Sequence, residues 1–131
     1  MEQFEKYQQE MIEDTAIDEL NIKDMQMKLP GIKHKWVGRL MACKREISKL
    51  KSQRKEAIDK ASKLAIQESP VSMSDAAAKR AAYSHELVIK INDRITEQEM
   101  IQEYLEKNCE IFRSMTWDIK NAVEVMKLET L

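Results

Sequence analysis

Glycine, proline, cysteine and aromatic residues are all scarce in this sequence. Its 131 residues include two glycines, two prolines and two cysteines, and aromatic side chains make up 5%. A β-sandwich or β-barrel needs more turn residues than these glycines and prolines provide. Two cysteines are too few for a disulfide framework, so we expect a reducing compartment in which both thiols act as small apolar side chains. The composition therefore predicts an all-α protein.

Long apolar segments are missing as well. The longest stretch without Asp, Glu, Lys or Arg is six residues, 69–74, whereas a membrane span needs about 20 mostly apolar residues. The first residues are acidic and lack the apolar centre of a secretory signal. We therefore expect no membrane span and a location in the cytoplasm.

Positive charge is concentrated in one segment, although the chain as a whole has a net charge of −1. Residues 33–63 contain eleven basic and three acidic side chains, whereas residues 1–32 and 64–131 are net acidic. Like charges three or four residues apart repel along a helix, and a bound polyanion such as nucleic acid offsets that repulsion. Taken alone, the charge pattern favours nucleic-acid binding and a merely solvated helix face equally.

Apolar residues in the first part of the chain recur at helical spacing. They predict a short helix over 2–13 and a second short helix, capped by Asp18 or Asn21, that ends before Pro30. A long basic helix is predicted over 30–66. Arg54 occupies one apolar position of its heptad pattern, where it either reaches out to solvent or forms a polar layer. The apolar positions of this helix are Trp36, Leu40, Cys43, Ile47, Leu50, Ala57, Ala61 and Leu64.

The second part of the chain begins with a loop over 67–74, indicated by Ser69-Pro70, and Ser72 or Ser74 is expected to cap the next helix. One long helix or several helices are predicted over 75–128; if the helix is broken, the thinning of its apolar stripe predicts the break near residues 94–98. The apolar positions are Leu87, Ile91, Ile101, Leu105, Phe112, Met115, Ile119, Ala122 and Met126. We therefore predict a single helical domain over 1–131: short N-terminal helices (1–29), then a long coiled-coil-like hairpin.

Two long amphipathic helices bury their apolar stripes incompletely within one small hairpin, so we expect self-association into a homo-oligomer. The residues predicted to hold the oligomer lie in the C-terminal helix; they are Ile101, Leu105, Phe112, Met115, Ile119, Ala122 and Met126.

Catalytic and metal-binding patterns are not visible in the sequence. His34 and His85 stand far apart, and no zinc-ligand spacing, phosphate loop or nucleophile motif occurs. We therefore expect a protein that is not an enzyme and that needs no cofactor and no metal.

The basic segment has Trp36 as its only aromatic residue, so we do not expect a platform on which bases stack. We expect contacts to phosphates instead, with little preference for sequence. The predicted DNA-binding residues are Lys35, Arg39, Lys44, Arg45, Lys51, Arg54, Lys55, Lys60 and Lys63. An alternative from another class is a helical assembly adaptor whose basic face docks an acidic protein partner.

Several short motifs occur in an order that matches a known family, without a gap over residues 4–64. They are Phe4-Glu5-Lys6-Tyr7-Gln8 with Ile17-Asp18, Lys35-Trp36, Lys44-Arg45-Glu46-Ile47, Gln53-Arg54-Lys55 with Ala57-Ile58, and near the C-terminus Phe112-Arg113-Ser114 with Trp117 and Ile119-Lys120. In these motifs the chain resembles the UvsY family, the recombination mediators of T-even-type phages.

The resemblance implies a non-enzymatic function in the cytoplasm of an infected host cell. Family members bind single-stranded DNA and load a RecA-like recombinase of the UvsX type onto it, displacing or remodelling the single-strand DNA-binding protein. It also implies a closed homo-oligomeric ring, a hexamer or heptamer, held by C-terminal helices. The family's basic motif falls on residues 58–64, where Asp59 and Ala61 replace its basic residues and charge remains at Lys60 and Lys63.

Overall fold

A computed structural model describes residues 2–130 of the chain. These residues form four α-helices, α1 (Glu2–Asp14), α2 (Ile22–Glu68), α3 (Asp75–Tyr83) and α4 (Glu86–Glu129), and contain no strand. The predicted all-α fold is confirmed. No helix within residues 2–130 combines the length and the apolar character that crossing a bilayer requires.

The chain divides into two compact units. The described part of unit 1 covers residues 2–42 and 101–130, and unit 2 covers residues 43–100. Helices α2 and α4 each contribute one segment to unit 1 and another segment to unit 2. Helix α1 belongs to unit 1, and α3 belongs to unit 2. The single domain expected from the sequence stays a prediction.

The connection between α1 and α2 is held by side chains that bond to backbone groups. Asp18 Oδ1 accepts from the backbone N–H groups of Leu20 and Asn21, each at 2.8 Å. Asn21 Oδ1 accepts from the Asp18 N–H at 2.8 Å. Both predicted capping residues therefore satisfy backbone donors ahead of the first turn of α2.

The predicted helix boundary at Pro30 is wrong. Helix α2 begins at Ile22 and passes through Pro30 without ending. Ile22, Met25 and Leu29 are buried and continue the apolar stripe of the basic helix in phase. Burying each such side chain stabilises the fold by about 1.5–3 kcal/mol, which together exceeds the cost of about 3 kcal/mol for proline inside a helix.

Unit 1 has an aromatic core. Trp36 is fully buried, and its ring stacks on Phe112 of α4 at a centroid distance of 6.2 Å and meets Tyr7 of α1 edge-on at 5.6 Å. Phe4 and Tyr104 make a further edge-on contact at 4.9 Å. The core of this unit thus joins α1, the first part of α2 and the second part of α4.

Unit 2 is a helical hairpin whose core consists mostly of aliphatic side chains. The second part of α2 contributes Ile47, Leu50, Ala57 and Ala61 as buried residues, as its heptad pattern predicts, whereas Leu64 is exposed. Ser74 caps α3 by accepting from the Ala77 N–H at 3.2 Å. Of the two serines predicted as candidates, Ser74 is therefore the one that caps this helix.

The second long helix is interrupted at Ser84 and His85 and not near residues 94–98, so the predicted position of the break is wrong. The Ser84 N–H donates to the Ala81 carbonyl at 3.1 Å and the His85 N–H donates to the Ala82 carbonyl at 3.0 Å, which closes α3. His85 Nδ1 then accepts from the Leu87 N–H at 3.2 Å and so caps the start of α4. Because α4 begins at Glu86, the face that it buries differs from the predicted one. Leu87, which was predicted to be apolar core, is half exposed, and Val88 is fully buried instead.

Candidate nucleic-acid interface

Six of the nine predicted DNA-binding residues are exposed on α2 within unit 2. None of the six lies within 4.0 Å of a carboxylate in the part of the chain that the structure describes, and Glu46, one of three acidic residues in the segment, is engaged by Arg94 of α4 at 3.7 Å. These six residues, hereafter the basic face, are Lys44, Arg45, Lys51, Lys55, Lys60 and Lys63. They present unpaired positive charge to solvent, which is what phosphates bind.

Lys35 and Arg39 lie elsewhere, in unit 1, where they attach α1 to α2. Lys35 Nζ contacts Asp14 Oδ2 at 2.6 Å, and Arg39 bonds to Glu10. The Arg39 guanidinium also lies 4.8 Å from the centroids of both the Tyr7 and Trp36 rings. Their charges are therefore compensated within the fold. A DNA contact by these two residues stays a prediction.

The Arg39 guanidinium and, to a smaller extent, Lys35 hold the pKa of the Glu10 carboxyl below its usual range, although partial burial opposes them. Asp14 accepts a second bond, from the Trp36 Nε1–H at 2.8 Å. The sequence shows these acidic residues only as part of an acidic N-terminal segment. Their pairing depends on how α1 packs, which the charge pattern does not specify.

Arg54, the remaining predicted residue, forms a polar layer inside unit 2. Its Nη1 donates to Asn92 Oδ1 of α4 at 2.9 Å, and the residue is half-buried. Of the two roles left open by the sequence, the structure shows the polar layer.

A basic hollow lies between α2 and α3. It has a volume of about 290 Å³ and is lined by Lys51, Arg54, Lys55, Ile58, Asp59, Lys79 and Tyr83. Four of these side chains are cationic and one is anionic. A second hollow of about 310 Å³ shares Asp59 and Lys79 with the first and is also lined by Ser62, Lys63, Ile66, Asp75 and Ala78.

Sequence reasoning missed the α3 side of this hollow. Lys79 and Tyr83 stand four residues apart on α3, so they share one face of that helix. The folded hairpin brings them to Lys51 and Lys55 of the basic segment, which are more than 20 residues away in sequence. The four-residue spacing of the pair is visible in the sequence, but the sequence does not show which helix this face of α3 lies against.

The predicted oligomer contacts lie mostly in the protein's own core. Ile101, Leu105, Phe112, Met115 and Ile119 are buried in unit 1, and Ala122 and Met126 are partly exposed. A role in oligomerisation stays a prediction for all seven. The apolar side chains of α4 that do face solvent in this unit are Ile111, Trp117, Val125 and Leu128.

An apolar groove of about 380 Å³ also lies in unit 1, between the α1–α2 connection and the end of α4. Its lining consists of Ile17, Asp18, Glu19, Ile22, Ala122, Val125, Met126 and Glu129. Two of the predicted oligomer residues, Ala122 and Met126, thus border an accessible apolar surface.

The thiols have no reactive setting. Burial raises the pKa of Cys43, with a smaller contribution from Glu46, and burial likewise raises the pKa of Cys109 against the opposing effect of Arg113. Both thiols therefore stay protonated at neutral pH. Within residues 2–130 no group of three or more His, Cys, Asp or Glu side chains is arranged to hold a metal ion.

Solved structures with this fold exist. A crystal structure of the bacteriophage T4 recombination mediator protein UvsY, in lattice type IV, matches with a TM-score of 0.82 and 17% sequence identity, covering 96% of this chain and 98% of that chain. A second crystal form of that protein, lattice type II, matches with a TM-score of 0.79 and 16% identity over 97% of each chain. At this identity the likeness shows the fold.

Sequence comparison gives the family. No curated protein sequence matches the chain. A family model does match, over residues 10–130, and its description is recombination, repair and ssDNA binding protein UvsY. That match spans nearly the whole chain and agrees with the shared fold. The chain therefore belongs to the UvsY family of recombination, repair and single-stranded-DNA-binding proteins.

Proposed function

We propose that this protein is a recombination mediator that binds single-stranded DNA through the basic face of α2. The observation that supports the proposal most directly is the set of six exposed cations without an ion-pair partner among the described residues. Because the chain belongs to the UvsY family, single-stranded DNA is the polyanion that we expect these cations to bind. The contacts are to phosphates, so binding is sequence-tolerant and weakens as salt rises.

The mediator role follows from holding the strand in this way. The protein competes with the single-strand DNA-binding protein for phosphates and presents the strand to a RecA-like recombinase of the UvsX type. No covalent chemistry is needed, so the function is non-enzymatic. In this proposal the protein acts in the cytoplasm of a phage-infected host cell.

A closed homo-oligomeric ring, a hexamer or heptamer, is the proposed form of the active protein. Exposed apolar residues on α4 and the apolar groove at its end supply surface for contacts between copies. Repeating the basic face around a ring links many weak phosphate contacts into one multivalent surface.

Charge reversal on the basic face tests the DNA site. Lys60→Glu with Lys63→Glu is expected to lower the affinity for a fluorescent oligo-dT strand about tenfold or more, because two phosphate contacts are lost and two repulsive charges are added. Fluorescence anisotropy measures the affinity, and light scattering checks that the mass of the assembly is unchanged.

The matched control is Lys6→Glu with Lys23→Glu. It changes the net charge equally at two exposed lysines of unit 1 that have no ion-pair partner among the described residues. We expect this control to weaken binding only slightly. Equal losses in both double variants, or no loss in the first, would show that the DNA site lies elsewhere. Absence of binding even in the unaltered protein would favour the adaptor alternative.

A further inference from the structure

Tyr83 is an exposed aromatic residue placed against concentrated positive charge. It ends α3, its surface is 56% exposed, and it lines the basic hollow with Lys51, Lys55 and Lys79. The ring takes no part in the aromatic contacts formed among residues 2–130. Its faces are therefore not engaged by another aromatic ring among these residues.

We propose that the hollow between α2 and α3 seats one nucleotide of the bound strand, with its base stacked on the Tyr83 ring. The proposal rests on the proposed function, since it names a specific contact within the same DNA surface. Lys51 and Lys55 of α2 bind the flanking phosphates from one wall, and Lys79 of α3 binds them from the other. The basic segment has no accessible aromatic residue of its own, because Trp36 is fully buried.

The size and continuity of the hollow suit a nucleotide within a strand. Its volume of about 290 Å³ is near the lower end of small-ligand sites, about 300–1,000 Å³. The adjoining hollow begins at the shared residues Asp59 and Lys79 and continues to Lys63. A strand that enters at Lys51 can therefore continue along the same side of α2.

Arg54, one of the lining residues, is already held in place before DNA arrives. Its bond to Asn92 fixes the guanidinium, so little side-chain freedom is lost when a phosphate binds nearby. Asp59 is the one carboxylate in the lining, and its charge opposes four cations. The net charge therefore favours an anion, while the tyrosine ring distinguishes a strand that has bases from one that is only phosphate and sugar.

A comparison of two strands of equal length tests this contact. One is oligo-dT, and the other is an oligomer of abasic deoxyribose phosphate with the same charge. We expect the unaltered protein to bind oligo-dT more tightly by about fivefold to a hundredfold, the range that one base–aromatic stack provides. Tyr83→Phe keeps the ring and is expected to keep this preference. Tyr83→Leu keeps apolar bulk without a ring and is expected to lose it, with abasic binding unchanged.

The outcomes separate the two proposals. Equal binding of both strands by the unaltered protein, or a preference that survives Tyr83→Leu, would overturn the nucleotide seat and leave the DNA-binding proposal intact. Failure of both strands to bind would overturn the DNA-binding proposal itself. Equally tight binding of poly-glutamate would instead identify the hollow as a dock for acidic protein segments. Circular dichroism of each variant verifies that the helices are intact.

Discussion

At the scale of single residues, charge and exposure have to be considered together. Lys35 and Lys51 look equivalent in the sequence, yet Lys35 forms an ion pair with Asp14 while Lys51 lines an open basic hollow. The sequence predicted a cluster of cations, and most of that cluster is exposed. It did not predict which cations were compensated, because compensation depends on a carboxylate from another helix. The sequence also did not indicate Tyr83 as a binding residue, because its place beside the basic segment depends on how α3 packs against α2.

Asn108 is a buried polar residue whose replacement is expected to stabilise the protein. It is 1% exposed in α4, and its Nδ2 has no hydrogen-bond partner among the described residues. A buried donor without a partner costs about 1–3 kcal/mol. We expect Asn108→Leu to raise the free energy of unfolding by about 1 kcal/mol in urea denaturation, after the cost of accommodating the larger side chain is deducted.

Asn108→Ala provides the control for that expectation, since it removes the polar group without adding volume. A loss of stability in both variants would mean that the amide makes a necessary bond.

Glu10 is expected to make the attachment of α1 sensitive to acid. The bond from Arg39 lowers the pKa of this carboxyl in the folded protein. Its contribution to stability is therefore complete above the ordinary glutamate pKa of about 4.3 and is lost as pH falls through the lowered value. We expect Glu10→Gln to lower the free energy of unfolding at pH 7 by about 1 kcal/mol.

The pH dependence of that difference is the decisive observation. Urea denaturation followed by circular dichroism at pH 7, 5, 4 and 3 compares the two proteins. The gap is expected to stay constant down to about pH 5 and then to narrow. A gap that is the same at pH 3 and pH 7 would contradict the role given to the Glu10 charge.

At the scale of helices, the repeating apolar pattern predicted most of the architecture. The heptad stripe from Trp36 to Ala61 is buried as expected, because side-chain burial is what fixes the face of an amphipathic helix. Errors occurred where local signals competed with burial. Pro30 indicates a helix end, but the stripe continues through it. The break at Ser84 and His85 has no proline or glycine to mark it and depends on capping bonds.

Pro30 is predicted to lower the stability of α2. Its replacement by alanine restores a backbone donor and a better helix former at an exposed position, so Pro30→Ala is expected to raise the free energy of unfolding by about 1–3 kcal/mol. Gly38→Ala is a matched control in the same helix, because a Cβ there meets nothing within 4 Å. It should raise the free energy by about 1 kcal/mol.

Thermal or urea unfolding of these two variants gives a direct comparison. A gain in Gly38→Ala together with a loss in Pro30→Ala would show that the local geometry of the proline is required for packing. That result would contradict the view that burial of the neighbouring stripe merely outweighs the cost of Pro30.

At the scale of the whole molecule, the basic face and the apolar groove lie in different units. The basic face belongs to unit 2, whereas the exposed apolar residues of the second part of α4 and the apolar groove belong to unit 1. This division suits a protein in which one part binds DNA and another joins copies. The sequence indicated both properties through its charge blocks and its excess of apolar helix surface. It placed the predicted oligomer residues on the buried face of α4, because periodicity alone does not show which partner covers a stripe.

The measurement that tests the central claim most directly is the affinity for a fluorescent oligo-dT strand across a salt series, with the mass of free and bound protein followed by light scattering. If all six cations of the basic face neutralise phosphates, the logarithm of the binding constant should fall with the logarithm of salt concentration with a slope of about −4 per chain. The mass should correspond to a closed multimer at every salt concentration. A multimer that does not bind the strand at low salt, or an affinity that does not change with salt, would contradict DNA binding through the basic face.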